Sequence, residues 1–182
     1  MGADGKYRPA DKSKRVFQNP PELRSPNDFY PTPPLATQAL LEREWFTDLI
    51  LEPACGDGAI VEVLKKHNFN VEATDLHEGQ DFFGRTEKVG NIITNPPYRL
   101  HLEFIHHAKK IATRKIAMLL PVEFLHGATR YELFQDSDFP LKIVYVFSSR
   151  LCFGSETPAT VGHAWYVWDR KHRGQPRLAW IR

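Results

Sequence analysis

Apolar residues along this chain fall into short runs separated by polar stretches rich in glycine, proline or charge. Runs at 49–53 (LILEP), 89–94 (VGNIIT), 115–121 (KIAMLLP), 141–147 and 163–168 have the length and largely apolar character of buried strands, and 70–75 (NVEATD) reads as a further strand ending in an acid. Between them the apolar spacing changes to helical. Leu35, Ala39, Leu40 and Trp45 share one face of a segment from Pro34 to Trp45, and Pro34 suits a first helical turn. Ile60, Val63 and Leu64 do the same over 59–67, and Leu102, Ile105 and Ala108 over 100–113; residues 128–135 also read as helical. Strands alternating with helices predict an α/β fold with a mostly parallel, doubly wound sheet of about seven strands. No helix-like segment separates the runs at 141–147 and 163–168, so they are expected to pair as an antiparallel edge hairpin.

At 182 residues the chain is the size of one domain and can bury a core without staples. No apolar run is long enough for a transmembrane helix. The first residues, MGADGKYRPADKSKR, lack the apolar centre of a secretory signal. Cys55 and Cys152 are too few for a disulfide framework and are expected to be free thiols, which places the protein in the cytoplasm. The net charge of +2 is unevenly spread. Residues 1–26 carry a net +3 and read as a flexible basic arm, 27–169 form a body of net −6, and 170–182 carry a net +5 and read as a basic tail. Basic ends on an acidic body suit nucleic acid, although short tails are also basic merely for solubility.

Two loops carry candidate chemistry. Gly56 and Gly58 stand where the first strand turns into its helix, the edge at which open α/β sheets bind ligands. No Lys follows Gly58, as a phosphate loop requires, and Val61 stands where a dinucleotide fingerprint needs a small residue. Glu52 and Asp57 would repel a pyrophosphate. They suit a cationic cofactor without phosphate, and S-adenosylmethionine has a sulfonium, an ammonium and a ribose. Asp75 ends the second strand near the spacing at which an acid accepts ribose hydroxyls. The second loop, Asn95-Pro96-Pro97-Tyr98, ends another strand. Two prolines forbid further ladder pairing and hold the backbone carbonyls rigidly. A plain turn would account for Asn and Pro, but not for an aromatic placed directly after them beside the glycine turn.

Glu52-Pro-Ala-Cys-Gly-Asp-Gly58 followed by Asn95-Pro-Pro-Tyr98, with Tyr30-Pro-Thr-Pro-Pro34 upstream, resembles the phage and bacterial DNA methyltransferases that modify N6 of adenine. The resemblance spans about residues 28–169. It implies the Rossmann-like class I methyltransferase fold, S-adenosylmethionine as cofactor and DNA as substrate. Asn-Pro-Pro-Tyr also occurs in RNA methyltransferases and in enzymes that methylate glutamine side chains. An exocyclic amine is a poor nucleophile because its lone pair is delocalised into the ring. The Asn95 side-chain oxygen and the Pro96 carbonyl would accept its two hydrogens, Pro97 would stiffen the loop, and Tyr98 would stack on the base. A duplex substrate would have to flip that base out. The resemblance further implies that Tyr30 and Thr32 line the methionine end of the cofactor, that Glu52, Ala54, Gly56 and Gly58 form its loop, that Asp75 takes the ribose, that Asp81 and Phe82 meet the adenine, and that Phe153 closes on the target base opposite Tyr98.

The chain departs from that pattern in two places. Asp57 stands where many relatives have Thr or Ser, and no sizeable base-reading domain follows the last expected strand. Site selection is therefore expected to be relaxed, or to come from loops at 123–140 and 148–161, or from a specificity partner. His101, His106 and His107 lie on one expected helix without a ligand pattern, so no metal site is expected and all three are read as surface residues. Cys55 lacks an activating His and is not expected to be a nucleophile. The alternatives are the same chemistry on RNA, glutamine-N5 methylation of a protein, and a catalytically silent module that binds nucleic acid for a partner.

Overall fold

The computed structural model describes residues 30–154 and 156–182. The basic arm expected over 1–26 lies outside these. The elements in chain order are α1 (Pro34–Leu41), β1 (Ile50–Glu52), α2 (Ala59–Lys66), β2 (Val71–Ala73), β3 (Val89–Thr94), α3 (His101–Ile111), β4 (Ala112–Pro121), α4 (Tyr131–Gln135), β5 (Leu141–Phe147), β6 (His163–Asp169) and β7 (Arg177–Ile181). They build one seven-stranded sheet in the order β2-β1-β3-β4-β6-β5-β7. All neighbouring strands run parallel except β6, which is antiparallel to both β4 and β5.

Core residues lie on both faces of the sheet, which is why the central strands read as unbroken apolar runs. On one face Leu51, Ile92, Met118 and Tyr166 pack under Phe104, Ile105 and Ala108 of α3 and Leu133 of α4. On the other, Ile50, Ile93, Leu119 and Trp165 pack under Ala36 and Leu40 of α1 and Ile60 and Leu64 of α2. The Trp165 indole N–H donates to the Ala36 carbonyl at 2.7 Å, tying α1 to the sheet centre. Gly90 lies in β3 where the register with β4 shifts; a Cβ there would stand 2.8 Å from the Asp48 Cβ, so only glycine allows this close approach.

The C-terminal stretch corrects one expectation. Residues 170–182 are not simply a tail, because Arg177–Ile181 adds β7 in parallel to β5 (Tyr145 opposite Ala179, Phe147 opposite Ile181). Ile181 and Ala179 face the core, whereas Leu178 and Trp180 point outward. The antiparallel β5–β6 pair is present, and β7 lies outside it. The helix expected to run to Trp45 stops at Leu41, and Trp45 is exposed.

The end of α1 is fastened by a buried ionic cluster. The Glu44 carboxylate, almost wholly buried, accepts from Lys115 Nζ of β4 at 2.7 Å, Lys142 Nζ of β5 at 2.8 Å and the Tyr145 hydroxyl at 2.9 Å. Burial alone would raise the Glu44 pKa. The hydrogen bonds from Lys115 and Lys142 outweigh it and hold the group below the ordinary carboxylate range.

Candidate active site

A parallel sheet brings the carboxyl ends of its strands to one edge. β1 ends there at Glu52 and continues into the turn 53–58. β2 leads to Asp75, and β3 ends at Thr94 and continues into Asn95-Pro-Pro-Tyr98. Because β6 runs the other way, its first residue, His163, reaches the same edge opposite Pro121. A cavity of about 440 Å³ opens at this edge. Its wall includes Tyr30, Thr32, Glu52, Ala54, Gly56, Asp75, Asp81, Phe82 and Asn95 through Tyr98. The two motifs, whose first residues, Glu52 and Asn95, lie 43 positions apart in the sequence, thus line one space.

Two candidates are placed differently. Gly58 is not on the cavity wall. It is the N-cap of α2 in the left-handed region (φ +87), its N–H donates to the Cys55 carbonyl, and its role is to turn the chain into the helix. Phe153 is also off this wall. It packs edge-on against Tyr30 (6.3 Å between ring centres) and His163 (4.8 Å), so it belongs to the aromatic cluster beside the cavity.

The cradle of the cavity is acidic. Glu52 is completely buried at its floor, one carboxylate oxygen accepting from the Ala54 N–H at 3.0 Å. The other oxygen, buried in the wall, has no partner within hydrogen-bonding geometry among the described residues. Burial pushes Glu52 up to about 8, with the Asp75 charge adding to the rise, against contacts with Thr94 and the Ala54 N–H. Asp75 already works structurally: it accepts from the Gly56 N–H and the His77 N–H, both at 2.9 Å, and so shapes the glycine turn. A carboxylate has further lone pairs for a hydroxyl. Asp81 accepts from the Phe83 N–H, and Phe82 is both core residue and cavity wall, packed on Phe104 and His107. Cys55 is pushed up to about 11 by burial and by Glu52, Asp75 and Glu78, so its thiol stays protonated and unreactive.

An orphaned buried carboxylate oxygen in an acidic cradle fits S-adenosylmethionine: Glu52 would face its cationic methionine end, and Asp75 a ribose. The affinity for this cation should therefore rise with pH, by up to about tenfold per unit between pH 6 and 8, and level off above the Glu52 pKa of about 8. Calorimetric titration of S-adenosylmethionine at pH 6, 7 and 8 checks this, and Glu52→Gln should flatten the dependence. Without ligand the sign for folding is opposite. The folded Glu52 pKa lies above its ordinary value of 4.5, so stability falls as pH rises from there toward 8.

Asn95 is oriented by the segment at the start of the described chain. Its amide NH₂ donates to the Tyr30 carbonyl at 3.2 Å and to Thr32 Oγ1 at 3.0 Å. A backbone carbonyl can only accept, so this pair fixes which end of the amide faces Tyr30 and leaves Oδ1 as the free acceptor. Next to it, the Tyr98 ring sits edge-on to Tyr30 at 5.3 Å, and its hydroxyl lies 2.8 Å from His163 Nε2.

Among the histidines, His106 is exposed as expected, but His101 is buried. Its ring lies 5.3 Å from Tyr98, with Phe124 beyond, and burial lowers it to about 4 despite an opposing contact with the Pro96 backbone. His107 is half-buried, its ring on Phe82 and its Nε2 at 3.0 Å from the Arg85 carbonyl. His163 was not evident from the sequence. Only its position at the start of the antiparallel strand brings it here. Among the described residues no group of three or more His, Cys, Asp or Glu could hold a metal.

No protein-family model and no curated protein matches the sequence. Solved structures match it at 12–16% identity. A candidate class I S-adenosylmethionine-dependent methyltransferase from Listeria monocytogenes superposes with a TM-score of 0.59 over 81% of this chain and 63% of its own. A candidate RNA methyltransferase from Pyrococcus horikoshii superposes at 0.57 over 87% of this chain and 94% of its own. This is the class I methyltransferase fold. A modification subunit of a candidate type I restriction enzyme from Vibrio vulnificus superposes at 0.55 over 81% of this chain. The chain spans 45% of that subunit's length and 63% of the Listeria protein's. No helix among the described residues is long and apolar enough to cross a membrane.

Proposed function

We propose that this protein transfers a methyl group from S-adenosylmethionine to the exocyclic N6 amine of adenine in nucleic acid, with DNA as the principal substrate. The observation that carries this reading is the orientation of Asn95. With both amide N–H groups turned back to Tyr30 and Thr32, its Oδ1 is left as an acceptor on the cavity wall beside Pro96 and Tyr98. When bound, S-adenosylmethionine supplies an electrophilic methyl group.

The protein's own part is to prepare the amine. Asn95 Oδ1 and the Pro96 carbonyl accept the two amine hydrogens and localise the lone pair on nitrogen. These are preorganised dipoles that matter most as positive charge develops in the transition state. Tyr98 offers a flat face for the base, and Tyr30 and Phe153 enlarge the apolar surroundings. A planar base uses such a cluster better than a glutamine side chain does, which favours nucleic acid over a protein substrate. The reading places the protein in the cytoplasm of a bacterial or phage-infected cell, where its substrate is found.

Adenine in RNA is the second reading, favoured by the size match to the Pyrococcus protein. The Vibrio match is to a modification subunit of a candidate restriction enzyme, which fits a partner that selects the sequence. Incubation with methyl-labelled S-adenosylmethionine and unmethylated DNA, RNA and protein decides the substrate class. Label in DNA is expected. Label in RNA alone replaces the substrate, label in protein overturns the adenine reading, and cofactor binding without transfer to any of them supports the silent module.

A further inference from the structure

Tyr98 is hydrogen-bonded to a histidine, His163, that touches neither the amine acceptors nor the cofactor loop. Tyr98 lies on a single 3₁₀ turn, Tyr98–Leu100, immediately after Pro97 and outside the sheet ladder. An aromatic side chain in such a place has two torsions to be fixed, and the ring contacts of Tyr98 with Tyr30 and His101 are edge-on or tilted. His163 is the opposite case: it is 1% exposed, and its backbone is fixed in the ladder opposite Pro121. Its Nε2 stands 2.8 Å from the Tyr98 hydroxyl, and its ring is edge-on to Phe153 at 4.8 Å.

We propose that His163 is a positioning residue: by holding the phenolic oxygen of Tyr98 it fixes the ring in the orientation that stacks on the target base. The proposal rests on the adenine reading above. A bond at the far end of the side chain restrains both torsions at once, which a contact near Cβ would not do. Ordering the ring before the base arrives removes an entropic cost from the encounter and reduces misalignment of the amine. A phenol both donates and accepts, so either imidazole tautomer can make the bond. Burial lowers His163 to about 4, so the ring is neutral in the working range and a poor proton acceptor, which suits positioning rather than base catalysis. His163 also joins the two loops that carry the aromatic residues, since it touches Tyr98 after β3 and Phe153 before β6.

The test compares Tyr98→Phe, His163→Leu, His163→Gln and the double variant Tyr98→Phe/His163→Leu with the wild type. Methyl transfer is measured into whichever nucleic acid the wild type labels. Each of the first two should lower kcat about tenfold, the scale of one lost hydrogen bond, with affinity for S-adenosylmethionine unchanged. The double variant should be no slower than either single one, because both remove the same bond. His163→Gln, whose side-chain oxygen lies near the place of Nε2, should recover most of the loss. Multiplying effects in the double variant, or a slow His163→Leu beside an unimpaired Tyr98→Phe, would overturn the proposal. If His163→Leu does not fold, a slow Tyr98→Phe beside a near-wild-type His163→Gln upholds the bond, and an unimpaired Tyr98→Phe overturns it. A wild type that transfers to no nucleic acid defeats the adenine reading instead. The bond is then read from the ¹⁵N shifts of the His163 ring, where a change on Tyr98→Phe upholds it and identical shifts overturn it.

Discussion

Asn95→Ala is expected to lower the rate of methyl transfer at least about a hundredfold, as the loss of one preorganised polar partner of a transition state does elsewhere. The reason is specific to the geometry. In the wild type, the Tyr30 carbonyl and Thr32 Oγ1 hold the amide nitrogen, and in the proposed reaction the oxygen is the acceptor for the amine. Alanine removes that acceptor and leaves only the Pro96 carbonyl. The loss should appear in kcat, because the interaction strengthens as the amine becomes cationic. Asn95→Asp should retain more activity than Asn95→Ala, since it keeps an acceptor toward the cavity. It also sets a second oxygen against the Tyr30 carbonyl, so it should not reach the wild-type rate. Steady-state kinetics at saturating S-adenosylmethionine, beside calorimetry of cofactor binding, separate these effects. Equal losses in cofactor affinity and rate would mean that Asn95 only holds the cavity together.

The largest effect on stability is expected from Glu44. Replacing it with Ala leaves Lys115 of β4 and Lys142 of β5, with β6 between them, without their shared counter-charge, Lys115 keeping the Asp169 carboxylate at 3.9 Å, and the Tyr145 hydroxyl without its acceptor. Removing one partner of a buried ion cluster typically costs about 3–5 kcal/mol. Urea unfolding of Glu44→Ala against the wild type at neutral pH measures it. The pH dependence has a definite sign. The folded pKa of Glu44 is depressed, so its contribution is complete above the ordinary carboxylate value and is lost as pH falls through the folded one. The wild type should therefore lose stability on acidification more steeply than the variant does. A loss of stability that does not depend on pH would assign the effect to packing at the end of α1.

The sequence was legible wherever a residue's role depended on its neighbours along the chain. β3 and β5 begin and end at the residues where their apolar runs do, and α2 starts at Ala59 because Gly58 turns the chain there. The meeting of the glycine turn and Asn-Pro-Pro-Tyr was legible too, since a parallel sheet must bring the ends of β1 and β3 to one edge. What escaped was set by contacts distant in sequence. Glu44 meets a lysine 98 positions away, and Tyr98 meets a histidine 65 positions away. Nothing local to His163 separates it from any other strand residue. β7 escaped for a different reason. It is an edge strand with Leu178 and Trp180 turned outward, so its pattern lacks the continuous hydrophobicity of a central strand and sits among basic residues. The surface reading of His101 failed because it fills the space between Tyr98 and Phe124, which only the folded loop creates.

Nucleoside mass spectrometry identifies the one nitrogen atom on which the proposed function turns. Unmethylated DNA incubated with the protein and S-adenosylmethionine is digested to nucleosides and compared with the same reaction run with Asn95→Ala. N6-methyldeoxyadenosine is expected with the wild type and at most about one hundredth as much with the variant. A methyl group found on a different atom of the base, or equal N6 methylation by both proteins, would contradict the proposed function.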